Sequence, residues 1–282
     1  SLKEDLAKHI SIIDKCPDVV RFPLNDSGDT ALHLAVKRNS LQIVNELLNR
    51  MRPEDMLIKN SSGDTALHLA LIRKRRNLGN LRIVNELVKR MRPKDMGIQN
   101  SSGDTALHLA ARCGSFGIVT GLVKRMRPED MGIQNLSGDT ALHLAAVSEG
   151  YMAGIGNKLF VDRMMTSIML KRKNSTALKK LVKRMRPEDM GIQNSSGDTA
   201  LHLAVKRGSL EIVKELVQRM RPGDMLIQNS FGDTALHVAV SQSCRDKIVT
   251  ELVSSMRPPE DMLIQNSSGD TAFHLAIRLD RF

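Results

Sequence analysis

Ser196-Gly197-Asp198-Thr199-Ala200-Leu201-His202-Leu203-Ala204 decides the reading of this chain, because it recurs almost unchanged along it. Its glycine falls at Gly28, Gly63, Gly103, Gly138, Gly197, Gly232 and Gly269, with successive gaps of 35, 40, 35, 59, 35 and 37 residues. A period in that range marks a stacked-repeat protein, in which each unit buries its apolar face only against its neighbours. Such chains work by presenting a long surface, so the first expectation is a binding scaffold.

Working outward from this stretch, Asn194-Ser195-Ser196 are turn formers, and Gly197 supplies the backbone freedom of a tight turn. Thr199 stands where a helix N-cap belongs, its hydroxyl placed to satisfy an orphan amide. Ala200 to Val205 then predicts a short first helix of small residues that a neighbour can approach closely. Gly208 ends it. Ser209 starts a second helix, Leu210 to Met220, with Leu210, Ile212, Val213, Leu216 and Val217 on one face. Pro222 cannot continue that helix, so an extended stretch is predicted from there to the next turn.

This unit resembles the ankyrin repeat: G-x-T-A-L-H-x-A followed by G-x-x-x-I-V-x-x-L-V, with Ala in place of the family's usual Pro. The resemblance covers nearly the whole chain and implies an all-α ankyrin-repeat solenoid of paired antiparallel helices with hairpin loops. Residues 1–27 read as an N-terminal helix, a partial or capping repeat. Residues 28–282 read as seven repeats, with an insertion at about 148–174 in the fourth and a truncated seventh. Ile12-Ile13-Asp14-Lys15-Cys16-Pro17-Asp18 also resembles plant ankyrin proteins of the accelerated-cell-death type, which carry a membrane domain after the repeats. The missing initial Met and the unfinished last repeat read as a fragment.

Composition sets the remaining bounds. Hydrophobic residues make up 41% and charged residues 26%, ordinary for a folded soluble chain. One Tyr, six Phe and no Trp leave an aliphatic core completed by 16 Met. Three separated cysteines fit neither a disulfide framework nor a zinc site and point to a reducing compartment. No apolar run is long enough to span a membrane, and the charged start is unlike a secretory signal. A cytoplasmic location, including the cytosolic face of a membrane, is the expectation.

Seven of the eight histidines are the His of T-A-L-H: His33, His68, His108, His143, His202, His237 and His274. Neighbouring helices pack ~8–10 Å apart, whereas a shared zinc needs each nitrogen at ~2.0–2.1 Å, so no metal ladder is expected. Seven equal Thr-x-x-His pairs are equally poor catalytic machinery, since none has an orienting group of its own. No enzyme activity and no cofactor are expected. The resemblance gives these histidines a structural role, bonding the backbone of the hairpin loops.

The net charge of +11 is organised. Second helices end in Arg52, Arg92, Arg127, Arg186, Arg221 and Arg257, each followed three or four residues on by Asp55, Asp95, Asp130, Asp189, Asp224 or Asp261. Local surface pairs of ~0–1 kcal/mol each are expected. The resemblance sets the aspartates after the turn glycines at hairpin tips, as an acidic row on a concave binding face. The candidates there are Asp64, Asp104, Asp139, Asp198 and Asp233, with Arg38, Arg112 and Arg207 at first-helix ends. The expected partner is a protein of unspecified identity. The alternatives are nucleic acid or anionic lipid on the convex Arg/Lys column, or service as the cytosolic part of a membrane signalling protein. Scarce aromatics speak against base stacking.

Two places break the repeat. Arg73-Lys74-Arg75-Arg76 resembles a basic localisation signal, or is simply a solvated loop. In the insertion, Phe160, Met164, Met165 and Ile168 recur at helical spacing, which predicts an amphipathic helix that packs on the solenoid or meets a partner.

Overall fold

A computed structural model describes residues 15–72, 80–148, 177–242, 246–257 and 259–279. Six helix pairs and one further helix follow one another along them. They are α1 (Ala31–Lys37) with α2 (Leu41–Arg50), α3 (Ala66–Leu71) with α4 (Asn80–Arg90), and α5 (Ala106–Arg112) with α6 (Phe116–Arg125). Then come α7 (Ala141–Val147) with α8 (residues 177–184), α9 (Ala200–Arg207) with α10 (Leu210–Val217), α11 (Ala235–Ser241) with α12 (Asp246–Ser254), and α13 (Ala272–Arg278). No β-strand occurs among the described residues, and a lone bridge joins Gln265 to Thr271. The all-α solenoid is what forms.

The first helices stack on one another from α1 through α13, and α2, α4 and α6 form a second layer, as do α10 and α12. Small residues set the spacing of the first layer. Ala70, Ala110, Ala204 and Ala239 are fully buried between successive first helices, where a longer side chain would hold the layers apart. Between the layers, Val44, Ile83, Leu122, Leu181, Val213 and Leu252 fill the core. Methionines plug each junction: Met126, Met185 and Met220 follow the second helices, and Met131, Met190 and Met225 sit in the next turn, all buried. Unbranched thioethers suit such irregular gaps.

Two local details differ from expectation. The second helix of the fifth repeat stops at Val217, and Arg-Pro does not lead straight into an extended strand. Each proline instead opens a single 3-10 turn, as in Pro53–Leu57, Pro128–Gly132, Pro187–Gly191 and Pro222–Leu226, because its fixed φ and missing N–H suit the first helical position. In the N-terminal segment, the Pro17–Arg21 stretch is likewise a 3-10 turn, and the rest of the expected helix, residues 1–14, lies outside the described residues. The left-handed residue closing the first hairpin is Gly208 at φ 71 in the fifth repeat, Gly114 at φ 60 in the third and Asn39 at φ 55 in the first.

Helix α6 has an oddity of its own. Gly117 and Gly121 lie one turn apart within it, and a Cβ added at either meets nothing within 4 Å. Each interior glycine weakens a helix by about 0.8–1 kcal/mol relative to alanine, and no close packing here requires it. Gly117→Ala and Gly121→Ala are therefore each expected to stabilise the chain by about 0.5–1 kcal/mol, read as a rise in urea midpoint. Destabilisation by either would mean that a neighbour closes this face.

Candidate functional site

Four ladders of polar groups run between successive repeats, and they decide which side chains remain for a partner. The first is built on histidine. Thr30 N–H donates to His33 Nδ1 at 3.1 Å, which leaves the proton on Nε2, and Nε2–H donates across the interface to the Asp64 carbonyl oxygen at 3.0 Å. The same pair of bonds recurs at His68, His108, His143, His202 and His237, with the inter-repeat bond at 2.9–3.0 Å throughout. His274 keeps only the bond from Thr271 N–H. The cap is thus made mainly by the imidazole. Thr hydroxyls accept from a His amide only at Thr105, Thr199 and Thr271, at 3.3–3.5 Å. Burial pushes His33, His68, His108, His143 and His202 below the ordinary imidazole value, against the raising effect of their bonds to backbone carbonyls.

The second ladder removes the expected acidic row. Asp29, Asp64, Asp104 and Asp198 are buried, and Asp139, Asp233 and Asp270 half-buried. Each of the first six accepts from an asparagine one repeat further on: Asn60, Asn100, Asn135, Asn194, Asn229 and Asn266 donate at 2.8–3.0 Å. The asparagine Oδ1 in turn accepts from its own repeat's aspartate N–H, as Asn135 does from Asp139. From the other side, first-helix ends bring cations: Lys37 to Asp29 at 2.5 Å, Arg112 to Asp104 at 2.8 Å, Lys206 to Asp198 at 2.5 Å and Arg278 to Asp270 at 2.7 Å. Burial alone would raise the Asp29 carboxyl, but the bonds from Lys37, Asn25 and Asn60 hold it down at about 2. The resemblance set these carboxylates at the tips facing a partner. They face the next repeat instead, because an ionised group leaving water requires several donors. Arg112 belongs to this internal network, while Arg38 and Arg207 are exposed at helix ends.

Glutamines form the third ladder. Gln99, Gln134, Gln193 and Gln228 each donate to the glycine carbonyl of their own turn and to the next repeat's glutamine carbonyl. The fourth ties down the basic column. Arg90, Arg125, Arg184 and Arg219 reach back to C-terminal carbonyls of the preceding second helix, for example Arg125 to the Lys89 and Met91 oxygens at 3.3 and 3.1 Å. Arg92, Arg127, Arg186 and Arg221 pair with Asp95, Asp130, Asp189 and Asp224. These aspartates are nearly buried while their arginine partners stay exposed, so each pair is solvated on the guanidinium side only. Hydrogen bonds donated to those aspartates raise the four guanidinium groups above their ordinary value. Reading the sequence alone missed this carbonyl-capping role of arginine.

What stays exposed at the tips is the turn itself. In most repeats it shows serine, but Leu136 stands in the fourth tip with 78% of its surface exposed, and Phe231 in the sixth with 70%. Both are apolar where the sister tips carry Ser61, Ser101, Ser195 and Ser267, or Ser62, Ser102, Ser196 and Ser268. The sequence held that signal, but the repeat's own regularity masked it. Phe160, Met164, Met165 and Ile168 of the insertion lie outside the described residues, as does Arg73-Lys74-Arg75-Arg76. Among the described residues no group of three His, Cys, Asp or Glu could hold a metal ion, and no helix is long and apolar enough to cross a membrane.

Comparison with known proteins agrees with this architecture. Family models of ankyrin repeats match residues 19–70 in a many-copy form, and residues 71–155 and 165–262 in a three-copy form. No curated protein sequence matches. Among solved structures, the ankyrin repeat domain of Bcl-3, described as a unique member of the IkappaB protein family, is 26% identical. That match covers 89% of this chain and 95% of the other, with a TM-score of 0.60. The ankyrin repeat protein EF0377 is 20% identical over 91% and 94% of the two chains, with a TM-score of 0.44. Helix pairs, histidine-tied hairpins and family match agree: the chain belongs to the ankyrin-repeat family.

Proposed function

We propose that this ankyrin-repeat domain, of a fold that generally serves as a protein–protein interaction module, binds a partner protein through its hairpin tips and the adjoining first-helix ends. The observation that carries this reading is the pair Leu136 and Phe231, large apolar side chains held out at rigid tips. Arg38 and Arg207 supply exposed charge at the first-helix ends. The aspartates Asp64, Asp104 and Asp198, buried, and Asp139 and Asp233, half-buried, serve this surface from behind, by fixing the spacing of the tips. The basic second-helix column is the weaker choice, because most of its guanidinium groups already hold carbonyls or carboxylates. Cys16 and Cys113 form no disulfide among the described residues, which suits action in a reducing, cytoplasmic compartment.

Photo-crosslinking amino acids placed at position 136 or 231, with position 211 on α10 as control, test the reading. Crosslinks to one protein from the tips, and none from position 211, are expected. Against that purified protein, the double change Leu136→Ser and Phe231→Ser is expected to weaken binding about 100-fold, since each buried apolar side chain contributes about 1.5 kcal/mol or more. Serine is native to the sister tips, so the fold is unaffected. Undiminished affinity in the double variant, with fold intact by circular dichroism, would remove the tips from recognition.

A further inference from the structure

On the opposite face, an open groove of about 360 Å³ runs across α2, α4 and α6. Leu41 and Val88 supply its apolar surface, Arg82, Lys89 and Lys124 its cations, and the α6 side is bare backbone at Gly121. Counting back five residues from the methionine that follows each second helix, Gly121 occupies the register of Glu46, Glu86, Glu215 and Glu251, with Lys180 there in the fourth repeat. Each of those glutamates neutralises a cation: Glu46 pairs with Arg50, Glu86 with Lys89 at 2.7 Å, Glu215 with Lys179 at 2.6 Å and Glu251 with Lys214 at 3.8 Å. Helix α6 holds no acidic residue at all, yet keeps Lys124 and Arg125. The groove is therefore lined by four cations, Arg82, Lys89, Lys124 and Arg125, against Glu86 alone. Arg82 and Lys124 meet no carboxylate among the described residues.

A further feature points to a ligand. Gly117 and Gly121 weaken their helix while clearing its outer face of side chains, and no neighbour packs there. Unpaired cations, an apolar surface and exposed helix backbone together match one chemistry. We propose that this groove docks an acidic, extended segment of a partner protein. Its carboxylates meet Arg82 and Lys124, and an apolar side chain lies over Leu41 and Val88 where Gly121 leaves room. A nucleic acid would want aromatic stacking surfaces, and none of the lining residues is aromatic.

The test uses fluorescence anisotropy with the full chain and a short fluorescein-labelled peptide of glutamates flanking two leucines. A lysine-for-glutamate version, a single-stranded oligonucleotide and phosphatidylserine vesicles are the competing probes. The acidic peptide is expected to bind, and more weakly as salt rises. Gly121→Glu, which restores the residue of four sister helices and so keeps the fold, is expected to weaken it about tenfold or more. Lys124→Glu is expected to do the same, while Gly121→Ala and the double tip variant leave binding within about twofold. No binding of the acidic peptide, equal binding to wild type and Gly121→Glu, or tighter binding of the oligonucleotide or vesicles would each overturn the proposal. The tip variant separates this result from the proposed function, since it abolishes one surface and spares the other.

Discussion

Replacing Gly103 with valine is expected to cost about 4 kcal/mol or more and to part the array between its third and fourth repeats. Gly103 has φ +74, a conformation that a β-branched residue adopts only under strain of about 1–3 kcal/mol. The added Cβ would also stand 2.7 Å from Leu136 N, 2.9 Å from Asn135 Cα and 3.0 Å from Asn135 C, all of them atoms of the next repeat's backbone. None can rotate away as a flexible side chain would. The neighbouring turn must move, and the bonds from Leu136 N–H to Ser102 O and from Asn135 to Asp104 go with it. In a solenoid, stability is a sum of units and nearest-neighbour interfaces, so the damage stays local. Hydrogen exchange should show lost protection at residues 103–145 first. Gly269→Val is the internal control: φ is +79 there but no described atom lies within 4 Å. It should lose only the strain of about 1–3 kcal/mol. Equal losses at the two positions would show that the inter-repeat clash contributes nothing.

The same interface explains what could be read from the sequence and what could not. Thr199 announced a helix start because an N-cap acts within its own turn, although the imidazole three residues on makes most of that cap. The Arg-Pro-x-Asp pair was visible for the same reason. Asp104, by contrast, was placed at an exposed tip by the family resemblance. Its partner Asn135 lies 31 residues away, one repeat on, and only stacking brings the two together. Arg125 looked like part of a solvated basic column for an equivalent reason, because the carbonyls it caps, Lys89 and Met91, belong to the previous repeat. Local chemistry was legible, and contacts that exist only between repeats were not. Leu136, Phe231 and Gly121 escaped notice for the opposite reason: a reading tuned to the shared pattern passes over single departures from it.

Acidification from about pH 7.5 to about pH 5 is expected to unfold this array far more steeply than a domain lacking the histidine ladder. Each imidazole works in one protonation state. Nδ1 must stay bare to accept the Thr N–H, as at Thr105 and His108, while Nε2–H holds the next repeat. A proton on Nδ1 turns one of these bonds into a repulsion inside a buried site. Burial lowers the folded-state values of His33, His68, His108, His143 and His202, while the unfolded chain titrates near the ordinary 6.5. Below that value the unfolded state therefore binds more protons than the folded one. The stability is present above pH 6.5 and is lost as the pH falls toward the folded-state values. Each such group adds to the slope with the same sign, and the contributions of the five accumulate as the pH falls. Asp29, held at about 2 from an ordinary 3.8, adds a second loss of the same sign at lower pH. Urea midpoints measured between about pH 8 and about pH 5 read the slope directly. His108→Gln removes one titrating group, so the curve of that variant should be less steep even though the protein is weaker throughout. A wild-type midpoint that stays level across this range would mean that the buried imidazoles accept protons without breaking the ladder.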